Sequence, residues 1–145
     1  MGKVSINTVG EVVQVIGPVV DVRFEKNFPA IRNAVIIDPD GKNLTAEVQQ
    51  HLKGGLVRTL VLGPAEGIRR GLKVIDTKDS IKVPVGIKTL GRVFNVLGKP
   101  VDNKGDIKDC IELPIHKLAP ELVEQKTVPE IFETNGTASI AAQTK

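Results

Sequence analysis

The chain has 145 residues, 41% hydrophobic and 26% charged, with a net charge of +3. That balance is ordinary for a soluble globular protein that buries a core. No apolar run approaches the roughly 18 residues of a membrane-crossing helix. Met1–Thr8 has neither an apolar signal core nor an Arg-rich amphipathic pattern. A cytoplasm-like compartment is therefore expected.

The charge surplus lies in residues 1–86, with twelve Lys/Arg against nine Asp/Glu; residues 87–145 hold eight of each. Mixed signs of this kind read as a solvated surface. Binders of single-stranded nucleic acid combine a basic groove with aromatic platforms. This chain has no Trp, no Tyr and four Phe, so no nucleic-acid partner is expected.

The first half reads as closely spaced short strands. Val12, Val13, Val15 and Ile16 form a β-branched run that Gly17-Pro18 breaks. Val20 to Phe24 places apolar residues at every second position, the pattern of a strand with one buried face. Ala34 to Ile37 is a third run, closed by the turn Asp38-Pro39-Asp40-Gly41. Leu44, Ala46 and Val48 alternate with polar residues in a fourth. Gly54-Gly55 then introduces Leu56 to Leu62, and Gly71 introduces Leu72 to Ile75. Six short strands with Gly/Pro turns predict an all-β fold, a small closed six-stranded β-barrel. Closure removes the adhesive edges that an open apolar sheet would expose.

Beyond Ser80 the pattern changes. Val83-Pro84-Val85-Gly86 reads as an extended exit segment, and Leu90 to Gly98 as a short helix or strand before a turn. Pro114, Pro120 and Pro129 punctuate a stretch that reads as extended coil. The last residues, Thr134 to Lys145, are small and polar.

Catalytic chemistry is hard to assemble. His51 and His116 are the only histidines and lie far apart, so each reads as a surface or packed residue. Cys110 is the only cysteine; it forms no intrachain disulfide and reads as a buried or tolerated thiol. A phosphate-binding loop needs two glycines flanking four residues, then Lys and Ser/Thr. Gly2-Lys3, Gly41-Lys42 and Gly98-Lys99 are followed by Val4, Asn43 and Pro100, and Gly54-Gly55 has no lysine after it. These glycines read as turn residues. No catalytic, cofactor-binding or metal-binding residue is assigned.

One segment is distinctive. Gly10-Glu11-Val12-Val13-Gln14-Val15-Ile16-Gly17-Pro18-Val19-Val20-Asp21-Val22-Arg23-Phe24 closely resembles the opening of F-type ATP synthase beta subunits. Leu44 to Leu52, Val57-Arg58-Thr59 and Gly67 to Val74 resemble later landmarks in the same order. Thr89-Leu90-Gly91-Arg92-Val93-Phe94-Asn95-Val96-Leu97-Gly98-Lys99-Pro100-Val101-Asp102 resembles a second signature, and Pro114-Ile115-His116 and Ala119-Pro120 follow in place. The wording favours the F-type beta subunit over vacuolar-type, secretion and Rho-like relatives. The resemblance spans about Gly10 to Thr134.

The resemblance implies an N-terminal extension over 1–9, a barrel over 10–82, the start of a nucleotide-binding domain over 83–134 and an unrelated tail over 135–145. It implies alternation with alpha subunits in a hexamer. It also implies a peripheral place on the cytoplasmic side of an energy-coupling membrane, or the matrix or stromal equivalent, with membrane contact only through the assembled synthase. After Thr134 the family runs on toward its phosphate loop, whereas this sequence departs and ends at Lys145. The family's ATP, ADP and magnesium contacts are therefore absent here, and no turnover by this chain alone is expected. A truncated gene, a frameshift, an engineered fragment and a natural short paralogue all fit. Val93, Phe94, Val96, Leu97, Ile131 and Phe132 would lack their usual cover, so this half is expected to be mobile or to fold back on the barrel. Two other readings stand beside this one: a free-standing barrel that binds or regulates the synthase, and a small nucleic-acid-binding barrel.

Overall fold

A computed structural model describes residues 8–38, 41–121, 123 and 125. The chain divides into two compact units, residues 1–81 and 82–145.

The first unit contains β1 (Val9–Ile16), β2 (Val19–Phe24), β3 (Asn33–Ile37), β4 (Leu44–His51), β5 (Leu56–Val61) and β6 (Lys73–Ser80). They close into an antiparallel barrel in the order β1-β2-β5-β4-β3-β6. The expected six-stranded barrel is thus the observed fold. Inward positions carry Val12, Val20, Val22, Phe24, Val35, Ile37, Val48, Val57 and Val74, each almost fully buried. β-branched side chains suit this place, because they pack well on a pleated, curved surface.

Closing so few strands requires strong curvature. Register shifts between Val12 and Gln14, between Val48 and Gln50 and between Asn33 and Val35 supply some of it. Gly10 supplies room. A Cβ there would lie 2.7 Å from Phe24 Cε1 and 2.8 Å from Val22 Cγ1. The Phe24 ring therefore occupies the space that any other residue at position 10 would fill. Among the described residues Thr59 is the one polar side chain fully buried, and it donates its hydroxyl to the Val20 carbonyl at 2.9 Å. Among the described residues no buried side-chain N or O lacks a partner.

β6 runs five residues beyond Ile75, where the apolar alternation stops. Its last turn is held by polar groups instead. Asp76 accepts from Asn33 Nδ2 at 3.3 Å and from the Lys78 amide at 2.9 Å, while Thr77 donates to the Ala34 carbonyl at 2.6 Å. Lys78 itself sits at φ 60. β4 likewise extends past Val48, to His51.

In the second unit β7 (Lys82–Val85) pairs antiparallel with β8 (Ile111–Pro114). Here the structure differs from the sequence reading. Ile111–Pro114 falls in a stretch read as coil, yet it is a strand, because Val83 and Val85 stand opposite Leu113 and Ile111. A strand whose partner lies about thirty residues away leaves no local signal.

Leu90 to Gly98 is neither helix nor strand. A 3-10 turn spans Ile87–Thr89, and a tight reversal follows, with a bridge between Phe94 and Pro100. Asn95 Oδ1 accepts from the Leu97 and Lys99 amides at 3.0 and 2.9 Å, which fixes that reversal. This is the competition of an Asn side chain with regular backbone pairing. Ile131, Phe132 and the 135–145 tail lie outside the described residues.

Candidate interaction surface

The barrel's outer face carries three arrangements that bear on function. The first is an ion pair. Asp21 on β2 and Arg58 on β5 are cross-strand partners. Arg58 donates Nε to Oδ1 at 2.8 Å and Nη2 to Oδ2 at 2.9 Å, a bidentate fork. The Asp21 side chain is almost covered, while Arg58 stays half-exposed. The hydrogen bonds from Arg58 hold the Asp21 carboxyl below its ordinary range, against the opposing effect of burial.

The second is the connection from β2 to β3. Four hydrogen bonds fix it. His51 Nε2 donates to the Pro29 carbonyl at 2.7 Å, and the Arg32 amide to the Val48 carbonyl at 2.8 Å. The Phe24 amide reaches the Gly55 carbonyl, and the Asn33 amide the Ala30 carbonyl. The loop so held presents Phe28 and Ile31, 50% and 55% exposed, with Phe28 tilted against the His51 ring. On β1 and β6, Val9 and Ile75 are outward cross-strand neighbours and both are exposed. Rigidly held apolar side chains at the surface are the usual raw material of protein contacts.

The third is a charged row. Glu11 on β1 stands between Arg23 on β2 and Lys73 on β6 in the strand register. Beside it the chain entering β6 lies along β1: the Gly71 amide donates to the Val12 carbonyl, and the Val12 amide to the Leu72 carbonyl, both at 2.9 Å. Glu11, Val12, Val13, Arg23, Arg70 and Gly71 line an open surface depression of about 260 Å³. Among the described residues, none of Glu11, Arg23, Arg70 and Lys73 has an ion-pair partner.

The second unit has its own polar centre. Arg92 forks onto Asp102, with Nη2 to Oδ1 at 3.0 Å, and Asp102 also accepts from the Val93 and Lys104 amides. The Asp102 carboxyl is held well below its ordinary range, chiefly by the Arg92 hydrogen bonds. This clasp joins the two sides of the reversal around Asn95.

The residues weighed for chemistry are scattered. His51 is tied to Pro29 at one end of the barrel, and His116 lies exposed in the second unit. Cys110 is half-buried, with Sγ 4.0 Å from the Ile107 carbonyl. Among the described residues, no three His, Cys, Asp or Glu side chains are grouped to hold a metal. Gly41, Gly54, Gly55 and Gly98 all have positive φ, as their reading as turn residues requires. Among the described residues, no helix is long and apolar enough to cross a membrane.

Residues 12–78 match the family model described as the ATP synthase alpha/beta family, beta-barrel domain. The match begins inside β1 and ends inside β6, so it coincides with the closed barrel.

Proposed function

We propose, from the match of residues 12–78 to the beta-barrel domain model of the ATP synthase alpha/beta family, that the chain is the N-terminal assembly module of an F-type beta subunit. In this reading it alternates with alpha subunits in the catalytic hexamer. The observation that carries the proposal is the coincidence of the matched segment with a complete closed barrel. A barrel that satisfies its own backbone hydrogen bonds can hold a ring together while attached parts move.

The beta-subunit assignment draws on the wording of Gly10 to Phe24 and of Thr89 to Asp102. Residues 83–134 would be the start of the nucleotide-binding domain. The fixed loop with Phe28 and Ile31 and the outward pair Val9 and Ile75 offer apolar contact points for neighbours. Each barrel in a ring meets two neighbours, so modest contacts add up by effective concentration. The chain would then sit peripherally at an energy-coupling membrane, bound through the assembled synthase. It would turn over no ATP by itself, because its 145 residues contain no Gly-x-x-x-x-Gly-Lys-Ser/Thr segment.

The test is direct. The full chain is mixed with purified F-type alpha subunit and followed by native mass spectrometry and an ATPase assay. Alpha–chain complexes without ATP turnover by the chain alone are the expected result. Absence of any complex at micromolar concentrations overturns the assignment. Steeply salt-dependent binding to DNA or RNA instead would favour the nucleic-acid reading.

A further inference from the structure

We propose that the depression between β1, β2 and the chain entering β6 is a binding site for the hydrogen phosphate group, with Arg23 and Arg70 on the oxyanion and Glu11 accepting its P–OH. The inference does not rest on subunit assembly.

The geometry is preformed. The two backbone hydrogen bonds between Val12 and Gly71/Leu72 hold the incoming chain against β1, and the register shift after Val12 bends β1 at the same place. Gly71, at φ +85, keeps that wall low. The depression of about 260 Å³ holds several water volumes at ~30 Å³ each, so a tetrahedral oxyanion and part of its hydration fit.

The charges are uncommitted. Antiparallel neighbours of opposite sign often pair, yet Glu11 forms no ion pair with Arg23 or Lys73, and Arg70 has none among the described residues. Two arginines and one carboxylate leave a net charge of +1 in the lining, and adjacent Lys73 raises it to +2. An anion is therefore attracted. Arginine forks suit oxyanion geometry.

Glu11 decides which oxyanion. A carboxylate beside an anion repels it unless the anion brings a hydrogen-bond donor. Phosphate near neutral pH keeps an O–H, whereas sulfate and carboxylates keep none. The mixed lining therefore selects a protonated phosphate over sulfate.

The experiment is an NMR titration of the full chain with sodium phosphate at fixed ionic strength, following the Arg23 and Arg70 side-chain Nε–H signals and the Val12 and Gly71 amides. A parallel series uses sodium sulfate. Saturable shifts with a dissociation constant on the order of 1 mM are expected for phosphate, about fivefold or more tighter than for sulfate. Arg70→Gln should weaken phosphate about fivefold or more, and Glu11→Gln should bring the phosphate-to-sulfate ratio to about one, mainly by strengthening sulfate. Unchanged barrel-core amides confirm that both variants fold. Methyl phosphate, whose dianion near neutral pH carries no P–OH, is the third ligand: weaker binding than the free ion is expected, and equal or tighter binding overturns the role of Glu11. Shifts that fail to saturate, equal affinity of the native chain for phosphate and sulfate, or a ratio unmoved by Glu11→Gln would each overturn the proposal.

Discussion

Arg58 grips Asp21 through both carboxylate oxygens across the β2–β5 pair, and it does so from the barrel's outer face, where the carboxylate is nearly covered and the guanidinium is not. Half-exposed ion pairs add little by themselves. This one differs, because loss of Arg58 strands a carboxylate that has little access to water.

Acid should expose that dependence. Asp21 has its carboxyl lowered from 3.8 in the folded chain. A group lowered on folding stabilises the fold above its unfolded value, and that contribution is lost as pH falls through the folded value. Barrel stability should therefore decline below about pH 4. Asp21→Asn should flatten that decline, and Arg58→Ala should lower the melting temperature at pH 7 more than Asp21→Asn does. Thermal melts across the pH series check both; a native-like acid slope in Asp21→Asn would refute the assignment.

Gly10 and Phe24 should behave as one unit. Gly10→Ala pushes a methyl into the Phe24 ring and Val22, at 2.7 and 2.8 Å, and should cost about 1–3 kcal/mol. Adding Phe24→Leu should recover part of that loss. Urea denaturation of both single variants and the double variant measures the coupling; strict additivity would mean that the ring moves aside freely.

Phe24→Ala by itself empties the largest fully buried side chain of the barrel. It should cost about 3–5 kcal/mol, a large share of what a small domain has. Calorimetry should show a melting transition lowered by tens of degrees or absent. Loss of no more than a few degrees would show that the barrel collapses around the gap.

The second unit turns on Gly98. Its φ is +72, and a Cβ would lie 2.6 Å from Pro84 Cδ and 3.1 Å from Val83 Cα. Both strain and backbone collision oppose any side chain here. Gly98→Ala should lower amide exchange protection along β7 and β8 by about tenfold or more. Unchanged protection would mean that the reversal shifts without disturbing the strand pair.

The six barrel strands were legible because each carries its own evidence: β-branched residues at alternate positions, with a Gly/Pro turn at most ends. The absence of a phosphate-loop pattern was equally plain, since that pattern is local. β8 was not legible, because Ile111–Pro114 becomes a strand only when Val83 and Val85 lie opposite. The polar half of β6 was missed for a related reason: Asp76 and Thr77 hold it through Asn33 and the Ala34 carbonyl, some forty residues earlier.

The sequence by itself determined that this chain makes a six-stranded barrel, because alternation and turn chemistry act over a few residues. Which members of an unbroken apolar run such as Val12, Val13, Val15 and Ile16 face inward was decided by the register, which buries Val12 and leaves Ile16 exposed. Only the tertiary structure decided which charges find partners. Glu11, Arg23, Lys73 and Arg70 look no different along the chain from Asp21, Arg58, Arg92 and Asp102. Strand register and loop path bring the second set into bidentate pairs and leave the first set unpaired around an open depression.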